Sequence, residues 1–358
     1  MGASVRAPLS ELRGSDVDAL ASGAAILGCG GGGDVGLLLP ALRMRGPDFA
    51  IPLEPLDGGL RFFTAVTFLG STTVLAEKPP GGTELPSAVS AVERWTGRAA
   101  QAVVPAQIGG LTALGAALLA DASGLPLLDA DLVGRATPRL DQLSIFARQK
   151  PELTAAIITS SGLTVVVDAR SPAELESALR GAVANTGGWA AFALGPLPLA
   201  QLREDMIAGS VSRALAIGRV AEAAGAPLAD AVRVVGGAVV ARGRVLDVER
   251  HGDPLSFVHG TASLADAESG AVARLEMGSE YHYLVVDGEP AASVPDIISV
   301  LDARTRAPIS TDELRPGTDV AVLVLPAAPL WHSDDAFLRR ADPRFYGIDA
   351  DPVPWAAS

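Results

Sequence analysis

The sequence predicts an α/β protein: an N-terminal α/β domain with a mostly parallel sheet, followed by a β-rich α+β domain. Three observations carry this. Across the first third of the chain, short apolar runs alternate with helical periodicities. After Val232 the texture changes to short strands separated by Gly, Asp and Pro. And a chain of 358 residues, 49% hydrophobic, is longer than one core comfortably serves, so two domains are expected. A boundary at Asp168–Pro172 divides residues 1–170 from residues 171–358.

Taken in order, Ser15–Leu27 reads as a helix, with Ser15 as cap and Val17, Leu20, Ala21 and Ala24 on one face. Gly28–Gly33 stops it, and Asp34 can cap a second helix through about Met44. Phe62–Leu69 is a buried strand, and GSTTVLAEKPPGG a loop or strand end. Glu84–Trp95 is a helix with Val89, Val92 and Trp95 inward. Ala102–Pro105 and Pro126–Asp129 are short strands around a helix over Leu111–Ala122. Ala155–Thr159 and Leu163–Asp168 flank Ser160-Ser161-Gly162 as a hairpin. Helices follow over Ser171–Val183 and Leu199–Ala224. The later strands are Val245–Glu249, Leu255–His259, Ala271–Met277, Tyr281–Val286, Ile297–Leu301 and Val320–Leu325.

Charge and cysteine usage exclude several classes. A net charge of -13 with no local basic patch argues against nucleic acid as a partner. One cysteine, Cys29, rules out an internal disulfide framework and a multi-cysteine zinc module. The opening residues carry no apolar signal-like core, and the uncharged stretch Ala99–Ala120 is broken by Gln101, Pro105, Gln107, Gly109 and Gly110. No membrane association and a reducing, cytoplasmic location are therefore expected.

Candidate chemistry concentrates at strand and helix ends. In Gly28-Cys29-Gly30-Gly31-Gly32-Gly33-Asp34, backbone N–H groups can converge on an anion or carbonyl. A plain interhelical turn is the equal alternative. A helix precedes the run, so it is not a dinucleotide fingerprint, and no nucleotide cofactor is expected. Asp129 and Asp131 end an apolar strand and alternate along it, which suits a general base or a shared divalent metal such as zinc. A helix cap with a surface ion pair is the bland reading of the same residues. Arg135 can grip a substrate carboxylate, and Gln107, Gly109 and Gly110 end the neighbouring strand. Glu280 and Asp296 are acids at strand edges of the second half. The four histidines, His251, His259, His282 and His332, have no zinc-site spacing and read as surface or core residues. Cys29 suits a thiolate, or more simply a small packing residue.

Together these runs resemble the S-methyl thiohydantoin desulfurase family, associated with hydantoinase and oxoprolinase genes. The resemblance is carried by GAAILGCGGGGD, EKPPGG, QIGG, GLPLLDADLVGRATP, GRVLDVER, Ser279-Glu280, PDII, ELRPGTDVAVLVLP, PLW and PRFYGIDAD, from about Ser15 to Pro352. It implies an α/β domain followed by a β-rich domain, and hydrolytic C–S cleavage of a small heterocyclic substrate. In that reading Asp129 and Asp131 serve water or a divalent metal such as zinc, and Arg135 holds a substrate carboxylate. Gly30, Gly31, Gly32 and Gly33 bind a ring carbonyl, while Glu280 and Asp296 approach from the second domain. The chain departs from the family pattern at Gln107 and Thr112, where Glu and Asn are common, and at Ser279 and Arg139. These departures leave open a non-catalytic accessory subunit of a hydantoinase or oxoprolinase-type partner, or a small-molecule binding module. A homo-oligomer is expected for an acidic two-domain protein of this size.

Overall fold

The computed structural model describes residues 9–149, 151–223, 227–251 and 259–355. Two sheets organise it. The first contains β1 (Glu11–Arg13), β2 (Ala50–Glu54), β3 (Phe62–Gly70), β4 (Ala102–Pro105) and β5 (Leu127–Leu128). After the short β6 (Ala130–Asp131), it continues with β7 (Leu153–Thr159), β8 (Thr164–Ala169) and β9 (Trp189–Pro198). Its order is β1-β2-β5-β4-β3-β9-β7-β8. The centre, β2-β5-β4-β3, is parallel, and the β3-β9-β7-β8 flank is antiparallel. The mixed α/β class is thus the one predicted. The parallel strands and their helices put several strand ends at one edge, where open α/β sheets collect ligands.

The second sheet is wholly antiparallel. After β10 (Ile207–Ala208), which pairs with β6, come β11 (Ala238–His251), β12 (His259–Ala265), β13 (Val272–Met277) and β14 (Tyr281–Val286). Then follow β15 (Glu289–Ser293), β16 (Ile297–Asp302) and β17 (Asp319–Leu325), in the order β15-β14-β13-β12-β11-β17-β16. Of the expected strand Leu255–His259, residues 255–258 lie outside the described residues.

Four expectations are corrected. The expected loop after Gly70 contains a helix, Thr72–Glu77, whose first turn is capped by the Ser71 hydroxyl on Val74 N at 3.3 Å. Trp95 is 63% exposed, because the helix Glu84–Thr96 buries Leu85, Ala88, Val89 and Val92 instead. The single helix expected over Leu199–Ala224 is broken: Leu199–Leu202 is helical, Ile207–Ala208 leaves to pair with β6, and a new helix runs Ser210–Glu222. Pairing satisfies backbone groups of β6 that would otherwise be buried without partners. Finally β9 had no counterpart in the sequence reading. It is apolar on both faces and sits between β3 and β7, so it lacks the alternation that marks a half-buried strand.

Two packing devices hold the site in place. The helices Val17–Leu27 and Ser210–Glu222 cross in close contact, stitched by Asp16–Arg219 at 2.6 Å and Ser22–Glu222 at 2.6 Å. The chain after β17 then returns to the first layer. Trp331 and Phe337 are buried there, and Trp331 Nε1 donates to Val133 O at 2.7 Å. Among the described residues no helix is long and apolar enough to cross a membrane.

Candidate functional site

The Gly28–Gly33 run is not a free turn. It is tied to both layers by backbone hydrogen bonds: Leu111 N to Gly32 O at 2.9 Å, Tyr281 N to Cys29 O at 2.8 Å and Thr311 N to Gly30 O at 3.0 Å. Gly109 and Gly110 pack against it from the end of β4, with Gly110 N donating to Ala24 O at 2.7 Å. On the other side stands Glu280. A methyl carbon at Gly31 would lie 2.4 Å from Glu280 Oε1, so only glycine permits this approach. The amides of Gly30, Gly32 and Gly33 make no hydrogen bond among the described residues. Unpaired N–H groups on a half-buried loop are open donors for a carbonyl or anion.

Glu280 is 2% exposed. Its Oε2 accepts from Ser279 Oγ at 2.7 Å and lies 3.4 Å from His282 Nε2, while Oε1 has no hydrogen-bond partner among the described residues. Burial pulls the His282 pKa down, against the opposing pull of Glu280, so the ring is neutral. A neutral ring that donates Nε2–H to Glu280 keeps Nδ1 as an acceptor. Tyr346 stacks on His282 with ring centres 4.1 Å apart, and its hydroxyl reaches toward Thr137 and Gln142. Thr137 Oγ1 donates to Gln142 Oε1 at 2.5 Å. One polar array therefore runs from the glycine loop through Glu280 and His282 to the Pro343–Tyr346 turn.

The other predicted site residues are placed as follows. Asp129 accepts from Ser212 N at 3.0 Å and Ser212 Oγ at 2.6 Å, capping the helix Ser210–Glu222. Asp131 Oδ2 accepts from Ile108 N at 2.8 Å and Gly134 N at 2.7 Å, binding the ends of β4 and β6 together. The two acids have no common partner among the described residues: Asp129 is bonded through both oxygens to Ser212, while Asp131 is bonded through Oδ2 to backbone N–H groups and its Oδ1 has no partner. Among the described residues no group of three or more His, Cys, Asp or Glu side chains is placed to hold a metal. Arg135 is 2% exposed, and its guanidinium donates to the carbonyls of Ala136, Asp296 and Tyr281 rather than opening toward a substrate carboxylate. Burial lowers its pKa, but Cys29, Tyr346, Glu280 and Asp296 outweigh that, so it stays charged. Asp296 is engaged through both oxygens, by Ala327 N at 2.5 Å and Trp355 N at 2.6 Å. Gln107 is 9% exposed and accepts from Thr137 N at 2.8 Å, and Thr112 bonds Thr67 at 2.7 Å. Cys29 is fully buried, and burial raises its thiol pKa, which keeps it a packing residue.

His282 and Tyr346 were not singled out from the sequence as site residues. The spacing of Glu280 and His282, two apart at the head of a strand, is the signal that places both side chains on one face.

Two predictions arise here. Asp129→Asn is expected to cost about 1 kcal/mol through the weakened cap, measured by denaturant unfolding, with ligand binding at the glycine loop unchanged. A fall of several kcal/mol would contradict a capping role. Asp131 titrates at about 7, raised chiefly by burial and opposed by the N–H groups of Gly134, Ile108 and Val133. Its Oδ1 and the nearby Ser210 Oγ are both buried without a hydrogen-bond partner. An unfolded aspartate titrates near 3.9, so between about pH 4 and pH 7 the folded state holds a proton that the unfolded state has lost. Stability is fully favoured below that window and falls as pH rises through it, by up to about 1.4 kcal/mol per pH unit. Asp131→Asn should flatten this slope in unfolding curves taken from pH 4 to 7; an unchanged slope would remove Asp131 as its source.

Family models match most of the chain: the S-Me-THD-like N-terminal domain over residues 15–169 and the S-Me-THD-like C-terminal domain over residues 170–355. No curated protein matches. A crystal structure of a protein from Chromobacterium violaceum is similar in fold, with TM-score 0.76 and 24% identity, covering 97% of this chain and 99% of that one.

Proposed function

The chain belongs to the S-Me-THD-like family, and from that premise we propose that it hydrolyses the carbon–sulfur bond of an S-methyl thiohydantoin-type ring where the Gly30–Gly33 loop meets Glu280. One observation carries the reading: Glu280 has one oxygen tied to Ser279 and His282 and the other unpartnered, beside a loop with three unpaired amides. A base and a set of fixed N–H donors are the two parts that addition of water to a ring carbon needs.

In this mechanism Glu280 Oε1 takes a proton from water as the oxygen bonds to the ring carbon bearing S-methyl. Negative charge that develops on the ring is met by the loop amides. The C–S bond then breaks, the departing thiolate takes the proton back from Glu280, and the remaining hydroxyl proton moves to the adjacent ring nitrogen, leaving a carbonyl. The balance is one water consumed, one methanethiol released and one ring carbonyl formed. His282 and Ser279 orient the carboxylate, and Arg135 keeps a positive charge buried nearby. No step is assigned to Asp129, whose carboxylate is spent on a helix end.

The test is thiol release from an S-methyl thiohydantoin by purified protein, before and after chelator treatment. Release that survives chelation is the expected result, since the mechanism runs on the Glu280 carboxylate and the loop amides alone. Release abolished by chelator and restored by added zinc would overturn this mechanism. Absence of release from folded protein would overturn the activity itself.

A further inference from the structure

Each of the two large sheets ends in two edge strands, and three of these four edges are blunted or covered. β1 is three residues long and carries Glu11 and Arg13. β15 contains Pro290, and Ser293 N at its end donates to Val353 O at 3.1 Å. β16 is covered by the chain that follows it, with Ile309 N on Val300 O at 2.8 Å and Asp302 N on Ala307 O at 2.9 Å. β8 has none of these devices. It is six residues long, pairs with β7 without a bulge, and holds no lysine, arginine or proline. An open, apolar edge of this kind is a template for another strand. Its neighbour fixes which backbone groups it presents. Thr159 N donates to Leu163 O at 3.0 Å, so Leu163, Val165, Val167 and Ala169 turn their N–H and C=O toward β7. Thr164, Val166 and Asp168 turn theirs outward, where the backbone has no partner among the described residues. Thr164 and Asp168 are exposed, and Leu163 beside them is a leucine 50% exposed.

We infer that β8 is the two-fold interface of a homodimer, pairing antiparallel with β8 of a second copy about Val166. In this register Val166 lies opposite Val166, and Thr164 opposite Asp168. Every outward N–H and C=O of the strand then finds a partner. A slip of two residues in either direction leaves one of the three outward residues without a partner in the strand. On the other face Val165 meets Val167, and Leu163 meets Ala169, which covers the exposed leucine. Asp168 is the one charge in the strand. It faces a threonine hydroxyl across the interface and not another acid, so two chains of net charge -13 meet without like charges opposed. A strand matched to itself in this way closes at two copies. The two first sheets become one continuous sheet across the axis.

The test is sedimentation velocity of the full chain over a wide range of protein concentration, at low salt, for the parent and two variants. Thr164→Asp sets an acid opposite Asp168 at both ends of the paired strands, and is expected to raise the dimer dissociation constant roughly threefold to thirtyfold. Thr164→Lys sets a cation there and is expected to lower it by a similar factor. The Thr164 side chain makes no hydrogen bond among the described residues and is exposed, so both variants should fold. A parent that stays monomeric throughout overturns the inference. So does an assembly equally tight with Asp and with Lys at position 164, which would place its interface elsewhere. A larger assembly supports the inference if Thr164→Asp splits it, and overturns it otherwise. Amide exchange followed by NMR decides the matter even if Thr164→Asp fails to fold. The amides of Thr164, Val166 and Asp168 should exchange more slowly as the parent is concentrated, while those of Val165 and Val167, already turned to β7, keep their rates. No change at the first three overturns the inference.

Discussion

Glu280→Gln is expected to lower kcat/KM for thiol release by about 10²–10⁴-fold, with the fold intact. The amide oxygen of glutamine can still accept from Ser279 Oγ and from His282 Nε2, so the packing at Gly31 is preserved. What is lost is the basic oxygen that takes the proton from water. Product binding should be nearly unchanged, so that the loss appears in kcat and not in KM. Thermal unfolding of the variant beside its turnover checks the point. A variant that retains release within threefold of the parent would remove Glu280 as the base.

Gly218→Ala has the largest expected effect on stability. At the crossing of Val17–Leu27 with Ser210–Glu222, a methyl carbon on Gly218 would fall 1.7 Å from Ala19 O, and one on Gly23 would fall 1.8 Å from Ala214 O. Both obstacles are backbone, which cannot swing aside like a side chain end. The helices must separate, and Val17–Leu27 runs directly into the glycine loop, so the loop moves with them. A loss of about 3 kcal/mol or more is expected, with loss of turnover as well. Gly181→Ala is the control. Gly181 lies in the helix Pro172–Asn185 with nothing within 4 Å of an added methyl, so alanine should stabilise by about 0.5–1 kcal/mol. An unchanged melting temperature for Gly218→Ala would show that the two helices are not locked at this crossing.

Much of the site was legible as a set of separate runs. The glycine loop, the Gln107–Gly110 strand end and Glu280 were each chosen for reasons of local chemistry, and the backbone bonds at Leu111 and Tyr281 bring them to one place. Asp129 shows where such reasoning stops. An acid at the end of an apolar strand has the same local signature whether its carboxylate meets a substrate or the first turn of a helix some 80 residues later. Only the position of Ser212 separates the two outcomes. Asp296 repeats the lesson, its two oxygens being committed to the backbone N–H groups of Ala327 and Trp355.

The sequence by itself determined the α/β class, the change to a β-rich second half and the glycine-rich break after the first helix. These follow from periodicity, strand spacing and the freedom of a residue without Cβ, all of which act over a few neighbours. The tertiary structure decided which acids are free. It placed β9 in the first sheet, broke the helix before Gly209, and stacked Tyr346 on His282 across 64 residues of chain. The physical reason is that burial penalises a polar group without a partner, and the partner available depends on which distant segments the core brings alongside.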